Sequence, residues 1–457
     1  MSENGASGAD LERFAREAVD AAVAAGADQA DAWCEDGVNR TIRVYDANVE
    51  SLVEAGSRGV GVRAFRDGRT GYAYGSDFGE EALRSLGEAA CGSAAVTDSD
   101  EHAGIPEETG AADAGDLTAS GFGAWTMERR VDLALAIERA ARSRDKLISN
   151  VEDTVYSDSI DRVALANSAG FASSYERTQA YAYAYAFAGE GRDRMTGLGV
   201  GVARGPDDLD AERIGHEAAD RALALHGARQ PTSRRCPVVL DPYVAASFVS
   251  LIGRTLSADA VQRGRSLFAG KEGERIASER LELVDDGLDP EGLGTAPFDG
   301  EGVPRRRTAL IDGGVLQTYL YDTYTARRAG RSSTGNGERG SYRTPPSVDA
   351  TNLLVTPGTV SESELLQAAG DGVYVMGVSG LHSGVNPISG TFSVGATGRT
   401  IEGGELAQPL REMTIASDLV SMLQAIEALG SDAQWVPFGG SVKVPGLLIS
   451  EMTIGGS

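Results

Sequence analysis

Lysine is nearly missing from this chain. Of its 42 basic residues only Lys146, Lys271 and Lys443 are lysine, against 67 acidic residues, and the net charge is −25. An acidic surface so poor in lysine suits a cytoplasm very rich in salt, where screening removes the cost of self-repulsion; an extreme halophile is the expected source. The acidity then reports habitat, not a cationic ligand. Without a basic stripe to neutralise phosphates, nucleic acid is not an expected partner. Cysteine is scarce as well. Cys34, Cys91 and Cys236 are odd in number and widely spaced, which argues against a disulfide framework and against a CxxC metal site. No apolar run reaches the roughly eighteen residues of a membrane span, so no membrane partner is expected. The opening MSENGASGADLERF has neither a basic n-region nor an apolar h-region, and a cytoplasmic location is the expectation.

Histidine numbers only four. His216-Glu217 invites a zinc-peptidase reading, which needs histidines at i and i+4 so that both imidazoles reach one metal. Position 220 is Asp220 and the next histidine is His226. Ten residues on a helix set the two side chains about 80° apart and nearly three turns along, too far to share an ion. A solvated helix face is the plainer reading. His102 lies in an acidic stretch and reads as solvated; His382 reads as a loop histidine that can touch a ligand. There is no G-x-S-x-G elbow and no Walker loop. Gly197, Gly199 and Gly201 alternate inside a strand pattern, without the helix that a dinucleotide loop requires.

What is present is a chain of 457 residues with 41% hydrophobic content, enough for two or three domains. Apolar spacing predicts helices over 10–25, 80–95, 127–144, 209–225, 243–256 and 417–429. Short strand-like runs fall at 32–35, 40–45, 51–54, 59–65, 70–74, 153–156, 163–167 and 170–175, with Asp67-Gly68 as a hairpin turn. Tyr181, Tyr183, Tyr185 and Phe187 alternate with alanines; the tyrosine face reads as packed under helices, with a ligand platform as the alternative. Residues 97–121 read as an exposed acidic connection. The second half is strand-rich, and Val315–Tyr321 is expected to pair with Arg307–Ile311 across Gly313-Gly314. No short-period repeat is visible. The expected class is α+β in two domains: 1–230, a sheet with flanking helices, and 231–457, β-rich.

The densest signal is Gly384–Pro409, GVNPISGTFSVGATGRTIEGGELAQP. It reads as a turn at Asn386-Pro387, a strand carrying Phe392 and Val394, and a hairpin at Gly403-Gly404. Glycines 390, 395 and 398 suggest another backbone or a peptide passing close. With RGRSLFAGKEGERIASERLELVDD (263–286), APFDGEGVPRRRTALIDGGVLQTYLYDTYTARRAG (296–330), STGNGERG (333–340), EMTIASDLVSML (412–423) and RGVGVRAFRDGRTGYAYGSD (58–77), it resembles the TldD/PmbA family, in particular its TldE (PmbA) branch. Thr391, Gly337-Glu338 and Ser417-Asp418 depart from the usual residues of those motifs.

The resemblance implies a two-subunit metallopeptidase. The TldD-type subunit carries HExxxH on a helix and a late cysteine. The matching helix here, YVAASFVSLIGRTL (243–256), holds no histidine, glutamate or cysteine, and the matching late segment, GSDAQ (430–434), has no cysteine. Zinc catalysis needs three protein ligands and an open position. The resemblance therefore implies the partner subunit: no catalytic residue and no metal in this chain, zinc in a TldD-like mate, and a peptide or unfolded protein as substrate. His382, Asn386, Ser389 and Arg399 are the candidate substrate-binding residues. Two other readings are a stand-alone regulatory protein of the gyrase-modulator type and an independent peptidase with a metal site rebuilt from His216, Asp220 and His382.

Overall fold

The computed structural model describes residues 5–386, 388–437 and 440–457. Pro387, half of the expected Asn386-Pro387 turn, lies outside them.

The N-terminal half is one unit used twice. The first copy is α1 (Gly8–Ala24), β1 (Gln29–Tyr45), β2 (Asn48–Arg66), β3 (Arg69–Gly75) and α2 (Glu80–Ala94). The second is α3 (Met127–Ser143), β4 (Ile148–Asn167), β5 (Ala172–Ala188), β6 (Met195–Ala203) and α4 (Ala211–Ala224). The strands form a single antiparallel sheet in the order β3-β2-β1-β4-β5-β6, so the two copies meet at β1 and β4. The helices start and stop close to where apolar spacing places them; Ser7, Thr126 and Asp210 each cap one by accepting a backbone N–H. The strands run much longer than the sequence suggests. The polar interruptions 35–39, 55–59 and 157–161 do not end them: those of β1 and β4 are mostly buried or half-buried in place, while 55–58 of β2 stay exposed and are held by regular pairing with β1. Asp158, fully buried at mid-strand, takes Arg130 of α3, Arg40 of β1 (3.4 Å) and the Tyr156 hydroxyl.

Both helix pairs cover the same face of the sheet. Ala32 and Cys34 of β1 pack under α1 and α2, and Ile42 and Val44, further along the same alternation, under α3 and α4. On β5 the residues beneath the helices are the alanines: Ala180, Ala182, Ala184 and Ala186 are fully buried, while Tyr181, Tyr183 and Tyr185 point the other way and are half-buried. The expectation that tyrosines sit under helices is thus corrected. Small side chains go there because the helices come close. A methyl group at Gly199 would lie 2.0 Å from the Ile214 carbonyl oxygen of α4, and one at Gly71 2.0 Å from that of Ala90 in α2. The alternating glycines of β6 are helix-contact positions. Within each helix pair a glycine again makes the closest contact: a methyl at Gly87 would meet Ala22 N at 2.6 Å, and one at Gly215 the Ile137 oxygen at 2.5 Å.

Residues 97–121 contain no helix or strand, but they are not simply an exposed connection. Ile105 and Leu117 are buried, and the strap is pinned by backbone bonds from Gly110 to Gly302, Ala112 to Pro297 and Thr178 to Leu117.

The C-terminal half runs β7 (Arg234–Leu240), α5 (Pro242–Thr255), α6 (Ala258–Gln262), β8 (Leu283–Asp286), β9 (Arg307–Asp312), β10 (Val315–Leu316), α7 (Thr323–Arg328), β11 (Gly337–Glu338), β12 (Ser347–Val348), β13 (Asn352–Val355) and α8 (Glu362–Ala369). It continues through β14 (Gly372–Ser379), α9 (Leu381–Gly384), β15 (Thr391–Glu402), β16 (Glu405–Asp418), α10 (Leu419–Gln424), β17 (Ile426–Leu429), β18 (Gln434–Val436), β19 (Ser441–Val444) and β20 (Leu447–Gly455). One sheet has the order β10-β9-β8-β13-β19-β18; another, β16-β15-β14-β7-β20-β17, also pairs β16 with β20, so five of its strands close into a ring. Between the two sheets lies a core built around α5, with Phe248, Val249 and Ile252 against Leu283, Val375 and Ile449. The hairpin at Gly403-Gly404 forms as expected, with φ of 58° and 83°. Two expectations need correction. The strand after Gly313-Gly314 is only Val315–Leu316, and the helix expected over 417–429 is only Leu419–Gln424. Asp418 caps that helix, and the β-branched Ile426 leads into β17.

The C-terminal half docks on the sheet's helix-free face, over the first copy and the adjoining end of β4. Phe298 and Tyr342 insert against Trp33, Val163 and Leu165. Around them Arg63 donates to Asp31 (2.8 and 2.6 Å) and Glu301 (2.9 Å), and Arg339 reaches the other oxygen of Asp31 at 2.7 Å. Asp299 accepts the backbone N–H groups of Glu301, Val303 and Gly337; burial, and then the Glu301 charge, push its carboxyl up to about 7.

Candidate functional site: a cleft at the second copy

Over the second copy the same face is left open. A cleft of about 580 Å³ lies between it and the C-terminal half. Its floor includes Tyr185 of β5 and Leu198 of β6, a directly opposed cross-strand pair. One wall is the start of α5, with Tyr243, Val244 and Ser247; the other is the β14–β15 ladder, Met376–Ser379 beside Gly395–Thr397. The ladder slips its register between Val375 and Gly377, an irregularity that re-aims side chains where regular pairing would not. Beneath this slip the chain's own backbone passes close to the glycines: a methyl at Gly398 would lie 2.0 Å from the Tyr374 carbonyl oxygen. β6 is the last strand of its sheet, so one side of its backbone has no strand partner among the described residues.

The position of α5 is fixed by a polar knot. Asp241 caps the helix by accepting from Tyr243 N at 2.9 Å, with Pro242 at the first turn, where no N–H is missed. Arg221 of α4 donates to both Asp241 oxygens (2.8 and 3.2 Å) and to the Met376 carbonyl (2.8 Å). The Tyr243 hydroxyl donates to Glu217 at 2.7 Å. Burial first, and Glu217 next, raise the Tyr243 phenol pKa, so it stays a donor. A second cavity of about 220 Å³, lined by Glu217, Glu362, Tyr374 and Arg399, opens beside this knot and shares Arg221, Tyr243 and Met376 with the cleft. The arrangement offers an apolar trough, an edge strand of which, among the described residues, only the Val200 carbonyl accepts from a side chain, Arg213 (2.9 Å), and a polar end. Such a site suits an extended peptide, held by main-chain pairing and side-chain pockets.

The four residues singled out from the sequence fall into two places. Asn386 and Ser389 come together in one turn, the Asn386 side-chain Oδ1 accepting from Ile388 N (2.9 Å) and Ser389 N (3.1 Å). His382 is exposed on the neighbouring short helix α9. Arg399 is ten residues beyond Ser389, about 33 Å of extended chain, and lines the polar cavity while donating to the Ala407 carbonyl at 2.7 Å. His216, Asp220 and His382 do not assemble. Both oxygens of Asp220 are taken by Arg144 (2.7 and 3.0 Å), and His216 lies 3.9 Å from Glu212. Among the described residues no three His, Cys, Asp or Glu side chains cluster as a metal requires. All three cysteines are free and buried. Among the described residues no helix is long and apolar enough to cross a membrane.

Sequence reading missed the cleft residues Tyr185, Leu198, Tyr243, Ser247 and Met376. One signal pointed to them: the glycines of β6 mark the helix side, so the residues between them, Leu198 and Val200, face the open side with the tyrosines.

Models of the PmbA/TldA metallopeptidase domains match this chain throughout: domain 1 at residues 30–94, the central domain at 121–225 and the C-terminal domain at 233–456. The first two fall on the two copies of the repeated unit. The metalloprotease PmbA homolog of Haemophilus influenzae is 26% identical over 444 residues, covering 96% of this chain and 95% of the relative. The metalloprotease TldD homolog of the same organism is 27% identical over 435 residues, covering 89% of each. The crystal structure of TldE from Thermococcus kodakarensis has the same fold, with a TM-score of 0.89 at 23% identity, covering 98% of this chain and 99% of that one. Motifs, domain matches and fold coincide along the chain: it belongs to the PmbA/TldD metallopeptidase family.

Proposed function

We propose that this chain is the TldE-type, metal-free subunit of a two-chain metallopeptidase of the cytoplasm, and that its cleft holds the substrate peptide for a zinc-bearing TldD-like partner. The observation that carries this is the chemistry of α5. It lines the cleft where the resemblance locates the metal helix of the active subunit, yet it presents Tyr243, Val244 and Ser247 and has no histidine, glutamate or cysteine. A hydrolytic zinc needs imidazole, thiolate or carboxylate donors and a water. A phenol already committed to Glu217, a valine and a serine supply no such set. The open edge of β6 and the polar cavity at Arg399 suit a peptide main chain and its end group. The loop at His382, Asn386 and Ser389, which follows the cleft strand β14, is proposed to flank the peptide as it leaves.

The test is reconstitution. The purified chain is expected to bind less than stoichiometric zinc and to leave a casein-derived peptide uncut, alone or with zinc. Mixed with a TldD-like chain from the same genome it is expected to form a complex that cleaves the peptide. Stoichiometric, chelator-sensitive zinc on the lone chain would sink the metal-free assignment. Failure to associate at any salt concentration would leave the regulatory reading in its place.

A further inference from the structure

The first eleven residues of β2, Asn48–Arg58, are exposed without interruption, although they lie within a regular strand. On one side they pair with β1; on the other, β3 covers only Val60–Arg66. The outer edge of 48–58 therefore carries a row of unpaired backbone donors and acceptors. Both faces are bare too. Leu52 and Val49 lie on the helix side, opposite Ile42 and Val44, and Val53 lies on the other; they are 44%, 42% and 52% exposed.

Strand edges in soluble proteins are ordinarily blunted by proline, lysine, a bulge or an overlying segment. Segment 48–58 contains neither proline nor lysine, and its pairing with β1 is regular from Ser51 onward. Its Glu54 is turned inward to Arg40 at 2.8 Å. Such an edge is a template for a strand from another chain.

We propose that this edge pairs antiparallel with the same edge of a second copy, about a two-fold axis at Val53. The register follows from the residues. Centred there, the regularly paired residues 51–55 match: Val53 opposes its counterpart, Leu52 opposes the partner's Glu54 and Ser51 the partner's Ala55, and the bulge at Glu50 ends the regular run. No like charges face each other. Moving the axis to Leu52 sets Glu50 against the partner's Glu54, and moving it to Glu54 sets that residue against itself; both are unfavourable. The contact is self-complementary, as a two-fold interface must be, and it joins the two six-stranded sheets into one. With −25 on each chain, pairing tightens as salt rises. The inference does not depend on the peptidase reading, since the edge is on β2 and the cleft on β5 and β6.

Sedimentation of the full chain from low to molar KCl tests it. The wild type is expected to be a dimer at high salt. Val53→Glu and Val53→Arg are each expected to weaken the dimer at least about tenfold by setting like charges opposite each other. Their circular dichroism and melting temperature should stay those of the wild type. Mixing the two variants is expected to restore a dimer. Val53→Cys should cross-link under oxidation while Ser51→Cys does not, because directly opposed Cα atoms, about 4.5–5.5 Å apart, fall within disulfide reach. A wild type that stays monomeric at every salt concentration overturns the proposal. So does a dimer that survives both charged variants, or variants that do not recombine.

Discussion

The two copies of the helix–strand–strand–strand–helix unit share an architecture and differ in what covers their open faces. Over the first, Phe298, Tyr342 and the Arg63–Asp31–Glu301 cluster fill the space. Over the second, Tyr185 and Leu198 look into a cleft of about 580 Å³. The same backbone thus serves once as a foundation and once as a site. The difference lies in the side chains of the open face. Arginine and carboxylate in the first copy demand burial with partners, whereas tyrosine and leucine in the second tolerate a half-exposed surface.

The comparison breaks most severely at Arg63. Replacing it with alanine strips Asp31 and Glu301 of their buried counter-charge and is expected to cost about 3–5 kcal/mol in urea unfolding. Tyr185→Ala, its counterpart in the second copy, should cost far less. Asp299→Asn sharpens the same contrast through pH. The folded carboxyl, pushed up to about 7, keeps a proton that the unfolded chain has released above pH 4. Its contribution is thus fully present below about pH 4 and is lost as pH rises towards 7. The wild type should lose stability relative to the variant from about pH 5 to about pH 8. Next come the paired glycines. If the copies are equivalent in their helix packing, Gly87→Ala and Gly215→Ala should each cost about 1–3 kcal/mol, and by similar amounts. The smallest effect on stability, under about 1 kcal/mol, is expected for Leu198→Ala in the cleft. In a reconstituted complex it should still raise KM for the peptide several-fold. An unchanged KM would remove the cleft floor from the binding surface.

Much of the first half was legible because its helices carry apolar residues at helical spacing, as Leu11, Ala15, Ala18 and Ala22 do. The strands were read as fragments. Asp158 falls between the strand fragments read from sequence, and only partners brought from another strand and a helix, Arg40 and Arg130, make it a mid-strand position. The alternation of Tyr181–Ala188 identified a strand correctly but put the tyrosines, not the alanines, under the helices. The orientation is set by α4, whose approach needs the alanines and glycines beneath it. Gly384–Pro409 marked the family, but its glycines meet the chain's own β14 at Gly398. The cleft escaped because its lining comes from elements scattered between β5 and β18, and no single stretch carries its pattern.

The strand ring of the C-terminal half bears on how the molecule is made. β7 begins at Arg234 and its neighbour β20 ends at Gly455; between them the chain builds a second sheet and the whole α5 core. The ring cannot close until that entire span has left the ribosome, and its key contacts are among the most distant in sequence, which slows their formation. Until then the β7 edge and the apolar face of α5 stand uncovered. The N-terminal sheet, with its nearest-neighbour hairpins, is complete well before that, and its open face can serve as the surface on which the later half assembles.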